Sequence, residues 1–325
     1  MKAILFKKPG DYSKLSFGEI DQPKTMKSTD IVIKQTAIGI NHDDILIRSG
    51  KVSDIKIDTT ILGFEAVGII EKVGSAISKF KVGQRVGYGF SNLGAYCEKR
   101  VIDAGYCLAL PDDISDENGA AILRKGLAAH SFLFRTHVPR KDQTIFVTGA
   151  GSGVGQIIAR WAKFSGLKVI GGVGSESKKD AAISAGCDCV VNINNEKEAL
   201  DKIEEFTDKK GVSAVYDSVG KTSFNLCIKA LSIFGVFVQY GCTSGEIDAI
   251  NLKLIEAKCL FMTKPRFEIY KSNRNELIVS AYELFDAFKR GAIITNVSRY
   301  SFSSIPNAHK DIELRKVTGS VIATI

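Results

Sequence analysis

The stretch TIFVTGAGSGVGQIIARW, residues 144–161, decides how the rest of the chain is read. Residues 144–147 are β-branched or aromatic apart from none that would break a strand, the composition of a buried β-segment. A loop follows with glycines at 149, 151, 153 and 155. Val154, Ile157, Ile158 and Trp161 then recur at i, i+3, i+4 and i+7, one apolar face of a helix. A strand, a glycine loop and an amphipathic helix in this order suit a dinucleotide pyrophosphate. Glycines allow a tight turn and close backbone approach, and the helix start offers unpaired N–H groups at the positive end of its dipole. The spacing is not a strict G-x-G-x-x-G, because Ala150 and Ser152 stand where glycines would lie if Gly155 is the last. Small residues suffice at both places; the alternative is a glycine-rich turn that binds nothing.

Working outward, strand-like runs at 168–173, 189–191, 214–216 and 236–238 alternate with helical stretches at 197–206 and 223–231. Alternation with buried apolar strands predicts an α/β fold with a Rossmann doubly wound parallel sheet. Residues 1 to about 120 read instead as all-β, with short apolar runs at 31–33, 68–70 and 85–88 between Gly, Asp and Lys turn signals. After Pro265 the pattern predicts one long helix with Leu277, Ile278, Ala281, Leu284, Phe285 and Phe288 as its apolar stripe. The run 320–325 is β-like.

Composition bounds the function. The 325 residues are about twice the ~150-residue domain prior, so two domains are expected. Hydrophobic residues at 45% and charged residues at 25% belong to a globular protein and exclude disorder or a fibrous repeat. The net charge of +8 suits an anionic ligand and also permits nucleic acid or a membrane surface. The lysines, however, are spread along the chain, with no basic run interleaved with aromatics. No apolar run approaches the roughly 18 residues of a spanning helix. Residues 1–9 are too short an apolar run for a signal-peptide core, which leads to the expectation of a cytoplasmic enzyme. Seven cysteines, an odd number in a long chain, argue against disulfides, and no Cys-x-x-Cys exists for a zinc lobe. Cys187 and Cys189 read as small apolar residues entering a buried strand.

The position about 20 residues beyond the last loop glycine sets cofactor preference: an acid accepts the ribose 2′-hydroxyl of NAD, whereas a 2′-phosphate wants cations. Gly174 and Ser175 fall there, and Lys178 and Lys179 follow, which favours NADPH. Two alternatives stay open: Glu176 as a ribose acid, and the two lysines as a solvated helical turn.

Taken together, the segments Gly39-Ile40-Asn41-His42-Asp43-Asp44, Ile47-Arg48-Ser49-Gly50, Leu62-Gly63-Phe64-Glu65-Ala66, Gly94-Ala95-Tyr96, Arg124-Lys125-Gly126-Leu127, Tyr216-Asp217-Ser218-Val219-Gly220, Tyr240-Gly241 and 315–320 carry a resemblance. The chain resembles, nearly end to end, the zinc-free quinone oxidoreductases, the zeta-crystallin-like branch of the medium-chain dehydrogenase/reductase superfamily. The resemblance implies a GroES-like β-rich catalytic domain from residues 1–120 and 265–325. It also implies a Rossmann dinucleotide-binding domain over 121–264 and an active site in the cleft between the two. It implies NADPH as cofactor and a homodimer paired through 259–262.

Zinc-dependent relatives carry Cys and His where Asn41 and Phe64 stand, so no metal is expected, and His42, Asp43 and Asp44 read as a turn or helix start. By the same resemblance Ala150, Ser152, Gly153, Val154, Gly174, Ser175, Lys178, Ile193, Ser218, Gly241, Cys242 and Lys264 contact the cofactor. Asn41 is placed near the substrate oxygen or the nicotinamide ribose. Asp44 orients that loop, or pairs with Arg48 as plain scaffolding. Lys125 reaches the cofactor or the cleft, or caps a helix start. Arg315 contacts a cofactor phosphate or ribose, or is an ordinary exposed arginine. Relatives have tyrosines near Leu46 and Val52, a Thr at Ala128, a Tyr at Ile193 and an Arg at Lys264, so the substrate wall departs more than the cofactor site. The expected activity is NADPH-dependent reduction of a quinone by hydride transfer. One alternative is reduction of α,β-unsaturated ketones or aldehydes, and another is a non-enzymatic NADPH- or nucleic-acid-binding protein.

Overall fold

The computed structural model describes residues 1–23, 26–51 and 60–325. The chain forms two compact units, one of Met1–Leu127, Arg274–Ala281 and Thr295–Ile325, the other of Ala128–Asn273 and Tyr282–Ile294. These bounds differ from the expected ones. The cut at 120/121 falls inside the helix Asp116–Ser131, and the segment Tyr282–Ile294 groups with the nucleotide-type unit.

In the second unit six parallel strands lie in the spatial order Cys189–Asn192, Lys168–Val173, Thr144–Thr148, Val212–Asp217, Leu231–Gln239, Phe261–Thr263. Numbered along the chain this is 3-2-1-4-5-6, the doubly wound order whose switch point lies between the first and fourth strands. Ile170, Phe146, Val215 and Phe237 stand opposite one another across four neighbouring strands, each 0–1% exposed, and form the centre of the core. The helix Gly153–Phe164 buries Ile157, Ile158, Trp161 and Ala162, the face set by the sequence pattern, while Val154 in its first turn is only half-buried.

In the first unit the sheet order is Val297–Ser301, Ser320–Thr324, Asp30–Ile40, Glu65–Val73, Arg85–Tyr88, Leu108–Ala109, and Lys99–Asp103 also pairs with Asp30–Ile40. The C-terminal strand runs antiparallel to the end of Asp30–Ile40, with Val321 opposite Ile40. Among the described residues the expected all-β region also holds α-helical segments, His42–Arg48 and the start of Asp116–Ser131. The long helix is also corrected: it is two helices, Phe267–Ser272 and Arg274–Lys289, separated at Asn273. Ile278 is 41% exposed, because the buried stripe is turned toward Ser280 and Ala287 and keeps Leu277, Ala281, Leu284 and Phe285 inside. Val52 lies outside the described residues.

Burial separates two truncations that the sequence pattern alone treats alike. Phe146→Ala is expected to lower unfolding free energy by about 3–5 kcal/mol, and Ile278→Ala to change it by no more than about 0.5 kcal/mol, both read from urea unfolding curves.

Candidate active site

The first strand of the parallel sheet ends at Thr148, and the chain turns back through Gly149, whose φ is 62°. A Cβ on Gly149 would lie 2.4 Å from Ser218 Oγ, and one on Gly155 would lie 2.2 Å from the Gly149 carbonyl oxygen. Both positions exclude any side chain. Ala150 is tolerated because Gly171 lies beneath it: a Cβ there would come within 3.1 Å of the Ala150 methyl. Ser152 is not a substitute for a glycine but the helix N-cap, its Oγ accepting from Gly155 N at 3.3 Å. Gly153 and Val154 open the helix, where backbone N–H groups have no intrahelical partner. Lys178 crosses the loop, its Cβ 3.0 Å from where a Gly151 Cβ would stand. The bare backbone of the loop, the helix start and a cationic stem beside Gly151 fit a diphosphate.

The other expected cofactor contacts line the carboxyl ends of the strands. Gly174 is exposed, with open space where a Cβ would be, and half-buried Ser175 contacts Ser177 Oγ at 3.0 Å. Glu176 sits in the turn Glu176–Lys178 and pairs with Lys179 at 3.7 Å. Ile193 follows the third strand and packs its Cγ2 over Gly172. Ser218 N donates to Thr148 Oγ1 at 2.9 Å, and Gly241 packs on the Ser218 backbone. Cys242 is half-buried over Gly220, and Lys264 is exposed and paired with Glu246 at 2.5 Å.

Asp217 was given no role by the sequence. It accepts from Thr148 Oγ1 (2.6 Å), Ser223 Oγ (2.7 Å) and Gly220 N (2.8 Å), tying the ends of the first and fourth strands together at the switch point. Burial pushes its carboxyl up, against these donors. An acid closing an apolar strand is the signal that could have found it.

The first unit holds a second polar cluster, built around Glu65, which is 0% exposed. Its Oε2 accepts from Asn41 Nδ2 at 2.9 Å and its Oε1 from Arg124 N at 2.6 Å. Lys125 Nζ lies 3.7 Å from Oε2 and has no hydrogen-bond acceptor among the described residues. Gly39 must be bare, since a Cβ there would meet Glu65 Oε2 at 2.2 Å. Lys125 stands in the third turn of Asp116–Ser131, so it is not a helix-start cap. Asn41 precedes the helix His42–Arg48, and its N–H donates to Asp44 Oδ2 at 2.8 Å. Burial raises the Asp44 carboxyl to about 7, opposed by the Asn41 N–H and Arg124.

The expected Asp44–Arg48 pairing is not the one formed. Asp44 turns to the helix start to cap it, and Arg48 reaches Glu313 at 2.5 Å and the Gly10 carbonyl at 2.5 Å. The Arg124 guanidinium binds Asp43 at 2.7 Å and lies over the Phe64 ring at 4.7 Å. His42 is exposed, Leu46 half-buried and Ala128 buried. Arg315 is exposed, with φ 56°, just past the helix Ile305–Glu313.

Comparison with known proteins adds the lineage. Residues 27–112 match the alcohol dehydrogenase GroES-like domain family, and residues 153–270 match the zinc-binding dehydrogenase family. The chain is 36% identical over 295 residues to a quinone oxidoreductase of Salmonella typhimurium, covering 90% of each chain. It is 32% identical over 297 residues to a 2-haloacrylate reductase of Burkholderia, covering 89% of each. Its fold is similar to that of Escherichia coli quinone oxidoreductase complexed with NADPH, with TM-score 0.94, 34% identity and full coverage of both chains.

Two variants test the buried cluster. Glu65→Gln leaves the Lys125 ammonium without its countercharge and is expected to cost about 3–5 kcal/mol of stability in urea unfolding. Asp44 binds its proton more tightly folded than unfolded, so wild-type stability falls as pH rises from the ordinary carboxylate range through about 7. Asp44→Asn lacks that fall, and its stability relative to wild type is expected to improve between pH 4 and pH 8.

Proposed function

The chain belongs to the zeta-crystallin-like quinone oxidoreductases of the medium-chain dehydrogenase/reductase superfamily, and from that premise we propose that it reduces quinones with NADPH, without zinc. The observation that carries the cofactor assignment is Lys178 lying over Gly151, beside a second-strand end that is neutral at Gly174 and Ser175. NADPH supplies the hydride. The backbone at Ala150, Ser152, Gly153 and Val154 holds the diphosphate, Ser175 and Lys178 take the 2′-phosphate, and Ile193 walls the adenosine. Ser218, Gly241 and Cys242 border the nicotinamide half, while Lys264 and Arg315 serve phosphate or ribose.

Asn41 presents its amide near the acceptor oxygen or the nicotinamide ribose, with Glu65 fixing which way that amide faces. Asp44 holds the Asn41 backbone, and Lys125 provides a buried ammonium whose donors are open to an acceptor oxygen. Asn41 and Phe64 are poor zinc ligands, and both are engaged here, Asn41 with Glu65 and Phe64 beneath Arg124. Without a Lewis acid the favoured acceptor is one already electrophilic, and rate comes from orientation and exclusion of water.

No helix among the described residues is long and apolar enough to cross a membrane, which is compatible with a cytoplasmic enzyme. A homodimer is supported by the outer strand Phe261–Thr263, whose Phe261 is 61% exposed, and by exposed Ile233 and Phe234 on the neighbouring strand. A second reading, reduction of an activated carbon–carbon double bond, is favoured by the similarity to a 2-haloacrylate reductase.

The test is oxidation of NADPH and of NADH with 1,4-benzoquinone in the presence of a chelator. Turnover is expected with NADPH and unaffected by chelation. Lys178→Ala is expected to raise KM for NADPH roughly ten- to a hundredfold, the worth of one charge-assisted contact, and to leave NADH kinetics unchanged. Equal loss with both cofactors removes the 2′-phosphate role. Rapid turnover of enones with none of quinones replaces the first reading by the second.

A further inference from the structure

The helix Asp116–Ser131 does not end as an α-helix. It runs into a π-helical turn, Phe132–Thr136, closed by His137 N donating to the Phe132 carbonyl at 3.4 Å, and Thr136 Oγ1 donates to the Ser131 carbonyl at 3.0 Å. Such wide turns are rare and concentrate at functional sites. The extra residue changes which side chains share a face. At about 100° per residue an α-helix sets residues five apart roughly 140° from one another. In a turn closed five residues on they stand nearly one above the other. Phe132 and His137 accordingly meet the same face of the parallel sheet. The Phe132 ring stacks on Tyr240 with centroids 5.0 Å apart and planes at 25°, and His137 Nδ1 is 3.4 Å from Tyr216 Oη. Tyr216 pairs in register with Val238, two residues before Tyr240, so the two tyrosines point to one side.

Tyr240 is the first residue beyond the strand Leu231–Gln239, and its place decides where Gly241 and Cys242 lie. Its N–H and that of Gly241 both donate to the Asp217 carbonyl, at 2.8 and 3.3 Å, and Thr243 N donates to the Ser218 carbonyl at 3.2 Å. These bonds fix the height of the segment above the end of the fourth strand. Sideways it is held by the Tyr240 side chain, whose ring lies against Phe132 and whose hydroxyl donates to the Thr148 carbonyl at 3.4 Å. Phe132 is 2% exposed and Tyr240 half-buried, so the core fixes one ring and that ring carries the other. Two residues on, Phe134 meets Trp161 edge to face at 5.1 Å and anchors the turn from behind.

We propose that the π-helical turn is a seat for the nicotinamide half of the cofactor, with Phe132 as the positioning residue: its ring holds Tyr240, and through Tyr240 the backbone at Gly241 and Cys242. The proposal rests on the reading above that Ser218, Gly241 and Cys242 border that half of the cofactor. Phe132 acts through Tyr240 and not through a contact of its own. Stacked rings contribute beyond the area they bury, so losing one ring loosens the other without emptying the turn of apolar side chains. The adenosine half, held by the glycine loop, Ser175 and Lys178, lies at other strand ends and is untouched by the change.

The experiment is calorimetric titration of the full chain with NADP+ and, separately, with adenosine 2′,5′-bisphosphate, which carries the 2′-phosphate but lacks the nicotinamide. Phe132→Leu is expected to weaken NADP+ roughly three- to tenfold and to leave the bisphosphate within about twofold of wild type. Phe132→Tyr keeps a stacking ring and should bind both as wild type does. Phe134→Leu, which alters the same turn on its Trp161 side, should move neither ligand. Tyr240→Leu removes the other ring of the pair and should match Phe132→Leu, and the double variant should lose no more than the larger single loss. Tyr240→Leu decides alone if Phe132→Leu does not fold. Equal weakening of both ligands, unchanged NADP+ affinity, additive losses in the double variant, or the same selective loss in Phe134→Leu overturns the proposal while the cofactor reading stands. A wild type that binds neither ligand overturns the cofactor reading, and the proposal with it.

Discussion

One buried carboxylate organises the polar cluster of the first unit. Glu65 begins a strand of the first unit, yet its side chain is engaged by the loop before a helix, by a backbone N–H in the middle of another helix and by a buried ammonium. A charge taken out of water is tolerated only when its lone pairs are met and a countercharge is near. Glu65 satisfies this by drawing Asn41, Arg124 and Lys125 to one point. The same demand forbids a side chain on Gly39. The orientation of the Asn41 amide is thus fixed by electrostatic necessity inside the unit, before any ligand arrives.

The glycine loop after the first parallel strand shows a different economy, in which shape is conserved by exchange between facing positions. Where a strict motif would demand glycine at 150, the chain places alanine and moves the missing side chain across to Gly171. Where it would demand glycine at 152, serine contributes a cap instead of an open surface. The two positions that cannot be exchanged are Gly149 and Gly155, since each stands against an atom too close for any Cβ. Asp217 completes the loop from below by binding the end of the first strand to the turn after the fourth.

Features governed by short sequence distances were legible. Strand-helix alternation, the glycine loop and the apolar face of Gly153–Phe164 follow from local periodicity, and Lys178 was within reach of a simple count from Gly155. What was not legible depends on partners far apart in the chain. Asp44 and Arg48 have the spacing of a helical ion pair, but tertiary packing gives Arg48 to Glu313 and turns Asp44 into a cap. The Tyr96 hydroxyl meets His309 Nε2 across 213 residues, and neither has a local pattern that points to the other. The apolar stripe near 277–288 was misjudged at Ile278 because periodicity gives a face without saying which way the core lies, and here Ser280 and Ala287 point inward.

The pairing of the last strand has a consequence for how the molecule is made. Ser320–Thr324 closes the sheet of the first unit by lying along Ala37–Ile40, almost three hundred residues earlier in the chain. During synthesis all six strands of the parallel sheet, ending at Thr263, leave the ribosome while that edge still lacks its partner. Such long-range closure is slow, and an open strand edge is a template for unwanted pairing in the meantime. The sheet of the first unit is therefore begun before the parallel sheet and completed after it.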